Sequence, residues 1–317
     1  MHIPGLVIKR GILMLTKEEF QQKIQEGVRI LDGATGSNLR AAGMPKDCCT
    51  EQWVLENPEP LVTLQRAYAA AGSQIIYAPT FQAQPIALKT VGMDAQTEKI
   101  NEALVALSRS AAPGCLIAGD LTTLAVYCES WNPDCFDLLV ENYRRQIRGL
   151  IDGGADLLIG ETLLYAQEAE AILTAAELEG AGAAMYTFTM QSDGALFSGA
   201  DGGKVLRDLE AAGAAAVGFN CVAADVLTPH LVSKLRRSVK IPLICKPNAG
   251  IPTINDQGAA VYARKNSPES CVSAGTTVPH CWAAAAARPR RSSRLLRNRC
   301  RFGAFSPPFS FPFAGNP

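Results

Sequence analysis

The stretch Gly153-Gly-Ala-Asp-Leu-Leu-Ile-Gly-Glu-Thr-Leu163 decides the fold. Paired glycines end a helix-like segment, a short apolar run follows, and an acid and a threonine close it. An apolar run without alternation marks a strand covered on both faces, and so a parallel sheet. The same grammar repeats along the chain. Runs of this kind occupy residues 28–34, 74–81, 115–121, 156–163, 184–190, 215–221 and 241–249, and helical spacing fills 61–71, 97–111, 136–152, 166–178, 203–212 and 227–239. Helices closing on Ala71-Gly72, Gly153-Gly154 and Ala212-Gly213 carry the C-terminal glycine expected of βα units. A doubly wound sheet would share this alternation. Polar or small residues, however, close nearly every run: Asp32-Gly33, Thr80, Asp120, Glu161-Thr162, Asn220-Cys221 and Lys246-Pro-Asn248. That distribution predicts an α/β (β/α)8 TIM barrel with its working face at the strand C-termini. Seven units are counted. The eighth strand region is expected to be lost or disordered, leaving two unpaired sheet edges, low stability and a tendency to aggregate.

At 317 residues, 48% apolar and 19% charged, the chain is long enough to bury one large core. A net charge of zero gives the whole molecule no attraction to nucleic acid or membrane. The ten cysteines have no regular spacing, and Cys115, Cys221 and Cys245 sit in apolar runs, which predicts reduced thiols and a cytoplasmic protein. Residues 1–13 read as an N-terminal extension before a second possible start at Met14, because Thr16 and Glu19 form a capping box that opens a helix. Residues 14–262 read as the barrel. From residue 263 the composition changes to eight arginines, one lysine and one carboxylate with no periodicity. This predicts a disordered tail, with a basic binding arm as the rival reading.

Three places carry chemistry. Asp32-Gly33-Ala34-Thr35-Gly36 is a glycine-rich turn after a strand, without the spacing of a phosphate loop. There a backbone can approach a small ligand while Asp32 offers a carboxylate to an ammonium group, or Asp32 simply satisfies turn amides. Glu161 closes a buried apolar strand, where an acid is costly unless it is paired or faces a polar mouth. Cys221 ends another strand, where it reads as a thiolate ligand or nucleophile or as a small core residue.

The segments ILDGATGSNL, CTEQWVLENPEPL, APTFQA, GADLLIGETL, GFNC and KPNAGIPT, in this order, resemble the homocysteine S-methyltransferases, and above all the homocysteine-binding barrel of cobalamin-dependent methionine synthase. The resemblance implies a (β/α)8 barrel that transfers a methyl group to the thiol of homocysteine, giving methionine. It implies Zn²⁺ held by a cysteine of a GxNC segment and a cysteine pair of a GGCCG segment. Cys221 then corresponds to the first zinc ligand, with Asn220 beside it. Glu161 corresponds to the acid that meets the substrate amino group, Asp32 and Gly33 to the turn beside the amino-acid moiety, and Thr80 and Asn248 to further lining of the mouth. The resemblance admits two kinds of methyl donor, methylcobalamin carried by a separate corrinoid protein or a small sulfonium or betaine, and does not choose between them. A free thiol titrates near about 8.5 and is a poor nucleophile at neutral pH, whereas a metal-bound thiol is deprotonated outright.

No GGCCG occurs in this chain, so two of three zinc cysteines are not found. An alternative is therefore an inactive barrel that binds homocysteine-like ligands, or a damaged product. The tail itself offers an explanation. Read from the third base of each codon, His280-Cys281-Trp282 forces two leucines and, with the next alanine, a glycine. The alanine run to Ala287 and Arg288-Pro289-Arg290 then permit Gly-Cys-Cys-Gly-Ala-Thr-Pro. Residues 263–317 thus read as a suspected frameshift of the family's own zinc segment.

Overall fold

The strands β1 (Ile30–Leu31), β2 (Ile75–Tyr77), β3 (Leu116–Thr122), β4 (Leu157–Leu163), β5 (Ala184–Phe188), β6 (Ala216–Ala223) and β7 (Leu243–Asn248) arise from the seven apolar runs of the sequence. A computed structural model describes residues 14–24, 27–223 and 229–248, and beyond them strand residues 253–254, 260–261 and 281–284. Two of these later strands, β8 (Thr253–Ile254) and β9 (Ala260–Val261), form a separate antiparallel pair. The last, β10 (Cys281–Ala284), inserts between β7 and β1 and is parallel to both. The sheet is a closed barrel in the order β1-β10-β7-β6-β5-β4-β3-β2.

This corrects the expectation that the eighth strand is lost. Cys281–Ala284 supplies four residues to the vacant position, pairing with Leu243, Ile244 and Cys245 on one side and with Ile30 and Leu31 on the other. The physical reason lies in the two neighbouring edges. Open strands present unpaired backbone groups, and any short extended segment that reaches them satisfies both. The two free edges expected from seven units are therefore paired, and the barrel continues past Tyr262. Apart from this strand, the tail from residue 263 and the extension over residues 1–13 lie outside the described residues, as does their expected disorder.

The helices run α1 (Lys17–Ile24), α2 (Gly36–Ala41), α3 (Thr50–Glu56), α4 (Pro58–Ala71), α5 (Pro85–Leu88), α6 (Thr97–Ala111), α7 (Pro133–Asp152), α8 (Ala166–Glu179), α9 (Gly202–Ala211) and α10 (Pro229–Ser238). The capping box opens α1 as its sequence predicts: the Thr16 amide donates to Glu19 Oε2 at 2.8 Å and the Glu19 amide to Thr16 Oγ1 at 3.1 Å. Helix α1 closes the floor of the barrel. Its Phe20 and Ile24 pack with the inward-facing Leu31, Ile75, Tyr77, Ala118, Leu157, Ile159, Met185, Ala216 and Ile244. A second, larger core fills the space between the outer face of the sheet and the helices. Helix α4 ends on Gly72 at φ +106°, a left-handed conformation that favours glycine, and its amide donates to Ala69 O. The floor is thus apolar and sealed. Polar residues collect at the opposite end.

One cysteine reading is corrected. Cys128 and Cys135 are joined in a disulfide, where all ten thiols were expected to be reduced. Asn132 explains the proximity, because it caps α7 by accepting the Cys135 amide at 2.8 Å and so folds the intervening turn back on itself. Among the described residues, Cys48, Cys49, Cys115 and Cys221 remain free thiols. No helix of the described residues is long and apolar enough to cross a membrane.

Candidate active site at the mouth of the barrel

Moving up from the floor, apolar interior side chains give way to Asp32 after β1, Tyr77 on β2, Asp120 on β3, Glu161 on β4, Asn220 on β6 and Lys246 on β7. Their centre is an ammonium group of the chain itself. Lys246 Nζ lies 2.9 Å from Glu161 Oε1, 3.3 Å from Asp32 Oδ1 and 3.8 Å above the centroid of the Tyr77 ring. The Tyr77 amide donates to the other oxygen of Asp32, Oδ2, at 2.8 Å. A charge as buried as Asp32, at 1% exposure, requires such partners.

Burial pushes the Asp32 carboxyl up to about 6, with the Lys246 cation working against the rise. Burial also acts to depress the Lys246 ammonium, but the charges of Glu161 and Asp32 overcome it and hold the group well above its ordinary value. Asp120 is pushed well above the carboxylate range by burial and by the nearby charge of Glu161. Among the described residues its Oδ1 has no hydrogen-bond partner. Three acids thus surround one base.

Across the mouth, Cys221 and Thr162 face each other in an unusual backbone state. Both adopt left-handed φ values, +52° and +60°, and they are the only non-glycine residues to do so among the described residues. Each stands where the strand register slips, between Gly160 and Leu163 on β4 and between Asn220 and Ala223 on β6. Such conformations cost about 1–3 kcal/mol apiece and persist only when their surroundings impose them. Asn220 is the imposing group. It accepts the Thr162 amide at 3.0 Å and donates to Thr162 Oγ1 at 2.6 Å, while its amide nitrogen lies 3.6 Å from Cys221 Sγ. The Thr162 hydroxyl also reaches Cys221 Sγ at 3.6 Å. Cys221 is an exposed residue of the mouth, yet burial of its thiol, and then the charge of Glu161, push that thiol up.

The remaining expected site residues are placed as follows. Thr80 is fully buried, and its hydroxyl is committed to the backbone of Asp120, donating to the carbonyl at 2.9 Å and accepting the amide at 3.0 Å. Gly33 owes its lack of a side chain to Tyr68: a Cβ there would stand 2.7 Å from the tyrosine hydroxyl and 2.9 Å from its ring. Asn248 is the half-buried last residue of β7. Cys49 donates to Glu51 Oε2 at 3.4 Å, and burial pushes its thiol up to about 11.

Sequence reasoning missed the joining of these parts. Lys246, Asp120 and Thr162 are visible as strand-end residues but receive no role, and Tyr77 is not distinguished from its apolar run. It also missed Glu168, which organises the rim. Fully buried, Glu168 accepts from the Thr123 hydroxyl and the amides of Leu124 and Ala125 with one oxygen, and from the amides of Leu164 and Tyr165 with the other. The loops after β3 and β4 are thereby tied together, and Trp131 packs against Tyr165 above them with ring centroids 4.8 Å apart.

A barrel with acids and a thiol gathered at its strand C-termini finds its relatives readily. The sequence profile of the homocysteine S-methyltransferase family matches residues 29–289, which includes β10. The chain belongs to the homocysteine S-methyltransferase family. It is therefore a member of a family of methyltransferase enzymes. The homocysteine S-methyltransferase of Escherichia coli K12 is 28% identical over 289 residues, covering 83% of this chain and 90% of that protein. The methionine synthase of Mycobacterium tuberculosis is 24% identical over 256 residues, which are 74% of this chain and 21% of that protein. The chain thus spans about a fifth of the matched methionine synthase. The metallated form of the E. coli homocysteine methyltransferase MmuM has the same fold, with a TM-score of 0.68 at 24% identity over 86% of this chain and 95% of that one. Its apo form gives a TM-score of 0.61.

Catalytic zinc takes three protein ligands and keeps one position open. No group of three or more His, Cys, Asp or Glu side chains suited to a metal occurs among the described residues. Cys221 is one thiolate, and Cys49 is turned to Glu51. The described residues therefore do not fit zinc.

Proposed function

We propose that this barrel derives from a zinc-dependent enzyme that transfers a methyl group to the thiol of homocysteine, giving methionine, and that its described residues retain the substrate end of that site. The observation that carries this reading is the shared mouth of β4, β6 and β7. Glu161 and Lys246 form a charged pair on one side, and Cys221 is exposed on the other. In this reading Glu161 receives the substrate ammonium, and Asp32 supports it from below. Gly33, Thr80, Asn220 and Asn248 shape the cavity around the amino-acid moiety. Asn220 contributes by holding the β4 and β6 ends in register.

Cys221 would be the first of three zinc thiolates, and the other two belong to the reading frame that residues 263–317 have lost. The position of β10 supports this, because the stretch whose shifted codons permit Gly-Gly-Cys-Cys-Gly, residues 282–287, begins within Cys281–Ala284. The methyl group would come from methylcobalamin on a separate corrinoid protein or from a small sulfonium or betaine, and the setting would be the cytoplasm. A second reading is favoured by the single thiolate: as written, the chain is an inactive barrel that still binds homocysteine-like ligands.

Resequencing the gene between the codons of Tyr262 and Arg290, followed by metal analysis, tests both. The expected result is a single-base insertion or deletion ahead of His280 and codons that spell the paired-cysteine motif in the other frame. The restored chain should carry about one zinc ion, as a three-thiolate site does. The chain as written should carry none in stoichiometric amount. An intact frame, or codons that spell another peptide, would sink the frameshift reading.

A further inference from the structure

The four carboxylate oxygens of Asp32 and Glu161 are not equivalent. Asp32 Oδ1 is engaged by Lys246 and Asp32 Oδ2 by the Tyr77 amide. Glu161 Oε1 is engaged by Lys246 at 2.9 Å, and Glu161 Oε2 has no partner among the described residues. Asp32 is sealed at 1% exposure, whereas the Glu161 side chain retains 14%. Of this pair, a ligand entering from the mouth therefore meets one free oxygen, Glu161 Oε2.

We infer that Lys246 is a positioning residue that sets the amine specificity of the mouth, by anchoring Glu161 through Oε1 so that Oε2 alone is offered to a single cationic group of the ligand. This rests on the proposed substrate end and deepens it. The pair of Asp32 and Glu161, less the charge of Lys246, leaves one net negative charge to meet one ammonium. Asp32 then acts through Lys246 instead of touching the ligand. The Tyr77 ring holds the ammonium from the remaining side, since a cation over an aromatic face is attracted by the ring quadrupole. Without the lysine, two buried carboxylates this close would share a proton, and Glu161 would lose both its orientation and its charge.

A purely structural counter-ion would occupy the same place, so the test must read specificity alongside stability. Calorimetric titration compares homocysteine with 4-mercaptobutanoate, which has the same thiol and carboxylate and no amine. The wild-type chain should prefer homocysteine by roughly ten- to a hundredfold, the range of a charge-assisted hydrogen bond. Lys246→Met should reduce the preference to about threefold or less, because the donor-oriented carboxylate is gone. Lys246→Arg keeps the charge that the fold needs, but its planar fork can cover both Glu161 oxygens, so it too should lose the preference. If the methionine variant does not fold, the arginine variant decides alone. Variants that melt earlier yet keep or strengthen the wild-type preference would make Lys246 a counter-ion only and overturn the inference. A wild-type chain that binds neither thiol would overturn the substrate reading itself, and the role of Lys246 with it.

Discussion

The two sides of the barrel mouth are built to different standards. On the β1–β4 side, Asp32 is held by Lys246 and Tyr77, Thr80 is locked to Asp120, and Glu168 gathers five donors from two loops. On the β6 side, the Cys221 sulfur stands on a left-handed residue steadied by one amide and one hydroxyl. Recognition of an amino acid can be encoded by segments that fold and pair locally. A three-thiolate metal site needs the far end of the chain as well. A lesion in that distal segment removes one capability and spares the other.

The sharpest way to break the contrast is to dismantle the braced side. Glu168→Ala should lower stability by about 4 kcal/mol, since it strands several buried amides at about 1–3 kcal/mol each, less what water recovers. Equilibrium denaturation in urea measures it, and a loss under 1 kcal/mol would show that the loops do not depend on this carboxylate. On the other side, Asn220→Ala should cost less, about 2 kcal/mol, because it leaves the Thr162 amide unpaired but lets two strained residues relax. Its more telling effect should be on Cys221, whose alkylation by iodoacetamide, followed by peptide mass analysis, should change severalfold. An unaltered rate would mean that Asn220 does not hold the sulfur.

Reducing the Cys128–Cys135 bond, or replacing both residues by serine, should cost about 2 kcal/mol by the chain-entropy relation for so short a loop. Thermal melts with and without reductant read this directly. A smaller, pH-dependent effect follows from Asp32. Its folded carboxyl titrates at about 6 against an ordinary value of 3.8, so the folded state favours its protonated form. The stabilisation from that proton is complete below pH 3.8 and lost as the pH rises through about 6. Ligand binding should run the opposite way, because the charge that holds Lys246 disappears on acidification. Homocysteine affinity should therefore weaken as the pH falls below about 6, and a flat profile from pH 7 to 5 would remove Asp32 from the site.

Much of the barrel could be read before any coordinates. Seven strands match the apolar runs because a doubly covered strand has no choice but to be apolar along its length. The family segments also place Glu161 and Cys221 at strand ends. The eighth strand escaped because a cysteine, a tryptophan and alanines in an arginine-rich tail carry no strand grammar of their own, and their pairing depends on edges formed by β1 and β7. Lys246 escaped as a partner because 214 residues separate it from Asp32, and charge pairing at that range leaves no periodic trace. The left-handed Thr162 was equally hidden, since a β-branched residue is the last choice for such a conformation.

Closure by β10 also sets the order of events on the ribosome. Ile30 waits for Ala283 before its outer edge is covered, so the nascent chain carries an unclosed sheet, seven-stranded once β7 has been made, until β10 is added. Contacts of such long sequence separation form late and slowly, and the edges of β1 and β7 stay open to other chains meanwhile. A change of frame ahead of residue 281 would therefore act on this last step, altering which segment closes the barrel while leaving the seven earlier strands to be made as before.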